Sequence, residues 1–472
     1  VGTFASLSVD SANLFDILIL GAGPAGYVAA IRAAQLKKKV CVIEKAEVGG
    51  TCLNRGCIPT KSLIASANLF ASIKKAQEFG ISVENAAVNF KAIQERKKKV
   101  VDSGIKGIKS LFKKYGIILE QGTAAFKEPF VIESRKEDGE TKILRGDKAI
   151  ISTGSRPADI AGISADNEYI FDSDSILETD NLPASLTIIG GGAVGCEFTH
   201  IFNSLGVKVN IIELLPHLIP LEDEDISSTL EREFKKKGVK IFLGRRVEKV
   251  LKVDGHVKVV LSDGIEIESD RLLLSAGRRF NTAGFGIENT GVKTGEKGNI
   301  LVNDKMESSV SGIYAAGDVA GRAMLAYTAS KEGIVAAENA CGIECKMDYS
   351  VIPSAVFTEP EIGCAGLKER DAVERGIKIN KGSFQLRALG RAHAGGEISG
   401  MVKVISDGDT DKILGVHIIG AHAAEMIHEA VVAIKMGMTA KDLEDTVHCH
   451  PVFSEGIMEA AADVHGRAIH KT

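Results

Sequence analysis

A chain of 472 residues exceeds what one hydrophobic core organises and predicts about three domains of roughly 150 residues each. With 44% hydrophobic residues, 25% charged residues and a formal net charge of −4, it has the composition of an ordinary globular protein and no basic surplus for nucleic acid. No apolar run reaches the roughly 18 residues that a membrane-spanning helix needs.

The polar segment through Asn13 lacks the apolar core of a secretory signal and reads either as a targeting remnant or as a flexible tail. From Phe15, FDILILGAGPAGYVAAIRAAQLKKKVCVIEK predicts an apolar strand, a glycine turn, an alanine-rich helix and a second strand that ends in Glu44. This is a βαβ unit with a dinucleotide fingerprint. Gly21 permits the tight turn, Gly23 lets backbone approach a pyrophosphate, and Gly26 lets the helix pack closely on the strand. Glu44, 23 residues after Gly21, is placed to accept ribose hydroxyls. Lysine runs at Lys37 to Lys39, Arg96 to Lys99 and Lys235 to Lys237 read as solvated faces.

The stretch GGTCLNRGCIPTK follows, with Cys52 and Cys57 five residues apart. Zinc would need two further ligands, and no compact Cys/His cluster supplies them; Cys341 and Cys345, the other close pair, lie in a distant segment. In a regular helix, Cα atoms at this spacing stand about 8 to 9 Å apart, beyond the roughly 7 Å limit of a disulfide. Closure therefore requires a break, which Gly56 supplies, while Pro59 suits the first turn of a new helix. Arg55, Lys61 and the positive end of that helix would stabilise a thiolate near Cys57. With only eight cysteines in the chain, a reducing compartment, either a bacterial cytoplasm or an organelle matrix, is expected.

Strand-ending glycines recur at Gly154 in ISTGSRP, Gly277 in LLSAGRRF and Gly317 in IYAAGDV. The first two read as crossovers between domains. Asp318, after Gly317, suits either a polyol chain or the cap of a helix. Between them the fingerprint returns 169 residues on, with Gly190, Gly192 and Gly195 in the glycine positions and Glu213 closing the second strand. An acid there disfavours a 2′-phosphate and predicts NAD rather than NADP. Two such sites in one chain suggest a flavin in one and a nicotinamide in the other.

These motifs, with the late segment HCHPVFSE, closely resemble the pyridine nucleotide-disulfide oxidoreductases from about Leu14 to the C-terminus. The resemblance implies an α/β fold of two Rossmann-like domains with a central and a C-terminal α+β dimerisation domain. The expected divisions are an FAD-binding domain with the redox disulfide over 1–155, an NAD-binding domain over 156–280, a central domain over 281–350 that completes the FAD site, and a dimerisation domain over 351–472. It implies a homodimer in which protein-bound dihydrolipoamide is oxidised and NAD+ reduced. Cys52 would meet the substrate, Cys57 would face the flavin, and Lys61 would lie near the flavin N5 and pair with Glu197. The partners would be lipoyl domains of 2-oxo acid dehydrogenase complexes or of a glycine cleavage system.

A dithiol attacks a disulfide only as thiolate, so a base is needed. His450, with Glu455 to orient it, fits that role, and the resemblance selects the same pair, serving the partner subunit's disulfide. His448 reads as packing rather than as a metal ligand, and His422 and His428 as surface or interface residues. No metal is expected. Runners-up are a glutathione-type reductase, which would want basic residues where this chain has IIELLPHL, a mercuric reductase, which would add a C-terminal cysteine pair, and a redox-idle flavoprotein, which would have lost Cys52, Cys57 or His450.

Overall fold

The computed structural model describes residues 13–160 and 162–471, so the polar leader segment up to residue 12 lies outside the described residues. The chain folds into two units, each discontinuous in sequence: residues through 62, 94–158 and 277–348 form the first, and residues 63–93, 159–276 and 349 onward the second.

At the centre of the first unit, Leu14–Leu20 runs parallel to Val40–Glu44 on one side and Thr141–Ile151 on the other. Ile118–Gln121 extends one edge and Ile313–Ala315 lies beside the end of Thr141–Ile151. The start of Thr141–Ile151 is antiparallel to Val131–Arg135, which pairs in turn with Thr123–Glu128. Ile17 through Leu20 are all buried, because helices cover parallel strands on both faces and leave no polar alternation. The helices Pro24–Gln35 and Ala326–Ala340 pack tightly together, which their small residues permit: a Cβ on Gly333 would lie 2.3 Å from the Ala25 carbonyl oxygen.

In the second unit, five parallel strands follow the order Lys240–Phe242, Lys208–Ile212, Ser185–Ile189, Arg271–Leu274, Ile170–Asp172. A three-stranded antiparallel sheet spans Val247–Val253, His256–Leu261 and Glu266–Ser269. A five-stranded antiparallel sheet is built from Ser354–Val356, Glu361–Gly366, Ile413–Gly420, Met401–Asp407 and Ile379–Gln385. The helices Ala423–Met436 and Glu455–Asp463 pack on it around Ile427, Ile457 and Phe453. No helix among the described residues is long and apolar enough to cross a membrane.

One buried cation ties this antiparallel sheet to the start of the helix Glu224–Lys236 and to the helix Glu369–Glu374 of the same unit. Lys403, in Met401–Asp407, meets Asp223, Asp225 and Glu369 at 2.9, 2.7 and 2.7 Å. Burial works against its charge, yet the three carboxylates hold its pKa above the usual lysine range.

Candidate functional site

The two glycine turns are built from the same contacts. Gly21 (φ +96°) and Gly190 (φ +110°) occupy the left-handed region, and a Cβ on either would lie 2.5 Å from a carbonyl oxygen, that of Ser152 or Ser275. A Cβ on Gly26 or Gly195 would stand 1.9 Å from the carbonyl oxygen of Gly21 or Gly190, so each helix rests directly on its turn. Around Gly192 there is open space, and Gly23 has only the Cα of Gly50 within range, at 3.8 Å. Both positions thus leave room for a phosphate against the backbone.

The acids also match. Glu44 accepts the amides of Ala22 (2.7 Å) and Ala46 (2.9 Å), while Glu213 accepts those of Gly191 (2.6 Å) and Leu215 (2.8 Å). Each carboxylate braces the turn with part of its acceptor capacity and keeps lone pairs for ribose hydroxyls. Sequence reasoning missed Ser152 and Ser275. Their hydroxyls donate to the Leu20 and Gly21 carbonyls (2.9 and 2.8 Å) and to the Ile189 and Gly190 carbonyls (3.0 and 2.9 Å). The signal was present as the repeated Ser-x-Gly of ISTG and LSAG.

The redox motif folds as two helices, Gly50–Arg55 and Cys57–Lys74, with the break at Gly56 and Pro59 in the first turn of the second. The broken backbone brings the sulfurs of Cys52 and Cys57 into hydrogen-bond contact. That hydrogen bond, then burial, pushes the Cys52 thiol well above its ordinary range, with Lys61 pulling the other way. When the pair is reduced, Cys52 is thus held as the thiol. The start of the motif is pressed on the first glycine turn: a Cβ on Gly50 would lie 2.6 Å from the Cα of Gly23.

Gly154 and Gly277 flank a short antiparallel ribbon, Ser155–Pro157 with Arg278–Phe280, which locks the two crossovers together within the first unit. Asp318 caps no helix. Its carboxylate accepts the Ser155 hydroxyl, and Arg278 Nε donates to that hydroxyl at 2.6 Å and stands 3.8 Å from Asp318. Ser155 and Arg278 were not anticipated. The preceding residue, Gly317, donates its amide to the buried Glu332 at 2.7 Å. Nearby in sequence, the buried Thr328 hydroxyl has no protein partner at the first turn of Ala326–Ala340. An orphaned hydroxyl, an open Gly23 and a polar clasp at Asp318 in one unit fit a long polar dinucleotide such as FAD. In the second unit, open Gly192 and braced Glu213 fit NAD.

Lys61 belongs to the first unit and Glu197 to the second, where its Oε1 accepts the Phe357 amide at 3.0 Å. His450 and Glu455 come together as expected: Nδ1 to Oε1 is 2.8 Å, and Oε2 accepts the Val452 amide at 2.9 Å. The His450 side chain remains 75% exposed, which leaves its Nε2 edge accessible to a reactant. Burial alone would raise the Glu455 carboxyl. The hydrogen bonds from His450 and Val452, with the charge of His448 behind them, hold it below the usual range. His448 is buried against Glu429 rather than gathered with other ligands, and His422 and His428 are exposed. The segment from Thr446 to Ser454 is irregular, not the extended strand in which alternate residues would share a face.

Known proteins resemble this chain over nearly its whole length. Residues 15–333 match the family model described as pyridine nucleotide-disulphide oxidoreductase, and residues 352–461 match its dimerisation domain. The chain is 42% identical to dihydrolipoyl dehydrogenase of Thermus scotoductus, covering 97% of this chain and 98% of that one. It is 39% identical to the Bacillus subtilis protein of the same name, covering 97% and 100%. Among solved structures, LpdA from Mycobacterium tuberculosis superposes with a TM-score of 0.88 at 29% identity, covering 94% of this chain and 98% of that one. The HOCl-induced flavoprotein disulfide reductase RclA from Escherichia coli, as its Cu(II) complex, gives 0.87 at 27%, covering 95% and 99%.

Proposed function

Because the chain belongs to the pyridine nucleotide-disulphide oxidoreductase family, we propose that it oxidises a protein-bound dihydrolipoyl group and reduces NAD+, moving the electron pair through Cys52 and Cys57. The observation that carries this reading is the contact of the cysteine-bearing helix with the first dinucleotide turn, at Gly50 and Gly23. It sets a hydrogen-bonded thiol pair beside the site that fits FAD.

His450 removes a proton from the substrate dithiol, and Glu455 supports the resulting imidazolium and fixes its tautomer. With the pair oxidised to the Cys52–Cys57 disulfide, the substrate thiolate attacks Sγ of Cys52, breaks the bond between the two protein sulfurs and displaces Cys57 as a thiolate. The second substrate sulfur, deprotonated in turn, displaces Cys52 and closes the lipoyl disulfide, which leaves two electrons on the protein dithiol. Bound FAD supplies the two-electron relay from this dithiol to NAD+. Lys61 supplies positive charge beside the thiols, and Asp318, braced by Ser155 and Arg278, would hold the polyol chain of the bound cofactor.

The dimerisation-domain match supports a homodimer, in which His450 of one copy serves the cysteines of the other. The natural donors are lipoyl domains of acyl-transfer complexes. The division into FAD-binding (1–155), NAD-binding (156–280), central (281–350) and dimerisation (351–472) domains belongs to the same reading.

Steady-state kinetics test both the substrate and the cofactor. Dihydrolipoamide should be oxidised with NAD+ preferred over NADP+ by at least about a hundredfold in kcat/KM, because the acid Glu213 at the end of the second strand of the fingerprint would repel a 2′-phosphate. Equal use of the two nucleotides would remove the assigned role of Glu213. Glutathione disulfide reduction by NADPH at a comparable rate would overturn the substrate.

A further inference from the structure

We propose that His448 and Glu429 form an ionic clamp that positions the catalytic base His450, so that His448 is a positioning residue for the reaction and not a packing residue. The inference rests on His450 being the base.

Both ring nitrogens of His448 face acceptors. Nδ1 lies 2.8 Å from the Thr446 carbonyl oxygen and Nε2 lies 2.8 Å from Glu429 Oε1. A neutral imidazole has one donor and satisfies only one of these; the imidazolium satisfies both. The carboxylate of Glu429 supplies the countercharge that a mostly buried cation requires, the His448 side chain being 7% exposed. Consistent with this, its pKa lies above the usual histidine value, chiefly through the hydrogen bond to Glu429, with Glu455 contributing.

The geometry explains why a clamp is useful there. His450 sits in the irregular stretch between the helices Ala440–Asp445 and Glu455–Asp463, and its neighbours Val447 and Cys449 are exposed. His448 fastens that stretch to the helix Ala423–Met436 through Glu429, while the Thr446 bond closes the loop on itself. Two residues after His448, the ring of His450 is held in turn by Glu455. The clamp therefore holds the backbone of the base and Glu455 holds its imidazole. The charged groups facing His448 are Glu429 from its helix and Glu455 from the helix after the loop.

The test is a double-mutant cycle on the FAD-loaded dimer with Glu429→Gln, His448→Gln and the pair together. Each single change should lower kcat for dihydrolipoamide about tenfold, and the double change should lower it no further, because the two residues act as a unit. The loss should fall on kcat, with KM for dihydrolipoamide within about twofold of the wild type, because the base and not substrate binding is displaced. NADH-driven reduction of an artificial acceptor, which needs no thiol base, should be unchanged and reports an intact fold. Losses that multiply in the double variant, a loss carried by KM, or a parallel fall in the artificial-acceptor rate would each overturn the clamp. If His448→Gln fails to fold, the isosteric Glu429→Gln and its split between kcat and KM decide alone. Failure of the wild-type protein to oxidise dihydrolipoamide would instead sink the functional reading.

Discussion

Replacing Cys52 by serine is expected to lower dihydrolipoamide turnover by at least about a thousandfold, because a residue that forms the covalent intermediate cannot be bypassed by its neighbours. The same variant should bind FAD and reduce artificial acceptors with NADH at the wild-type rate, since neither requires the outer thiol. The split is a consequence of the local fold. Cys52 lies in Gly50–Arg55 and Cys57 opens the next helix, so the two sulfurs touch but occupy different backbone segments. Serine is nearly isosteric and leaves Gly56 and the packing of Leu53 undisturbed. Retained lipoamide turnover would show that the substrate does not exchange with this pair. Loss of FAD along with activity would show that the change damaged the fold and not the chemistry.

The second large effect belongs to the base. His450→Gln should reduce kcat with dihydrolipoamide by about a thousandfold, within the range for removal of a positioned general base. Glutamine keeps the size of the side chain but cannot take a proton. Glu455→Gln should cost less, roughly ten- to a hundredfold, since the imidazole remains and loses only the carboxylate that fixes its tautomer. That variant also deprives the Val452 amide of a charged acceptor at 2.9 Å, so its melting temperature should be measured beside its rate. A His450→Gln enzyme that kept its rate at neutral pH would remove the base from this segment.

Elements built from local pattern were legible in the sequence. The strand, glycine turn, helix and acid of each fingerprint lie within about thirty residues, and their chemistry reads directly from the residue types. The helix break at Gly56 followed from a distance argument about Cys52 and Cys57. The illegible parts are contacts between residues far apart in the chain. Ser152 bonds to Gly21 across 131 residues, Ser155 reaches Asp318 across 163, and Lys403 meets Asp223 across 180. Serine, arginine and lysine are ordinary surface types, and only the fold decides which of them is buried. Asp318 illustrates the point: its sequence suits a helix cap and a polyol chain equally, and only the fold brings Ser155 and Arg278 beside its carboxylate. His448 was underread for the same reason. It reads as a packing residue from its type, whereas its partner, Glu429, lies on another helix that nothing in the local sequence indicates.

We propose that electrons enter the cofactor from a thiolate at Cys57, with Cys52 retaining a proton or the substrate bond. Anaerobic stopped-flow mixing of the FAD-loaded protein with one equivalent of dihydrolipoamide tests it most directly. A long-wavelength absorption band, characteristic of a thiolate against oxidised flavin, should form within the turnover time, persist without NAD+ and decay when NAD+ is added. Reduction of the flavin with no such band would contradict the assignment of Cys57 as the sulfur that faces it.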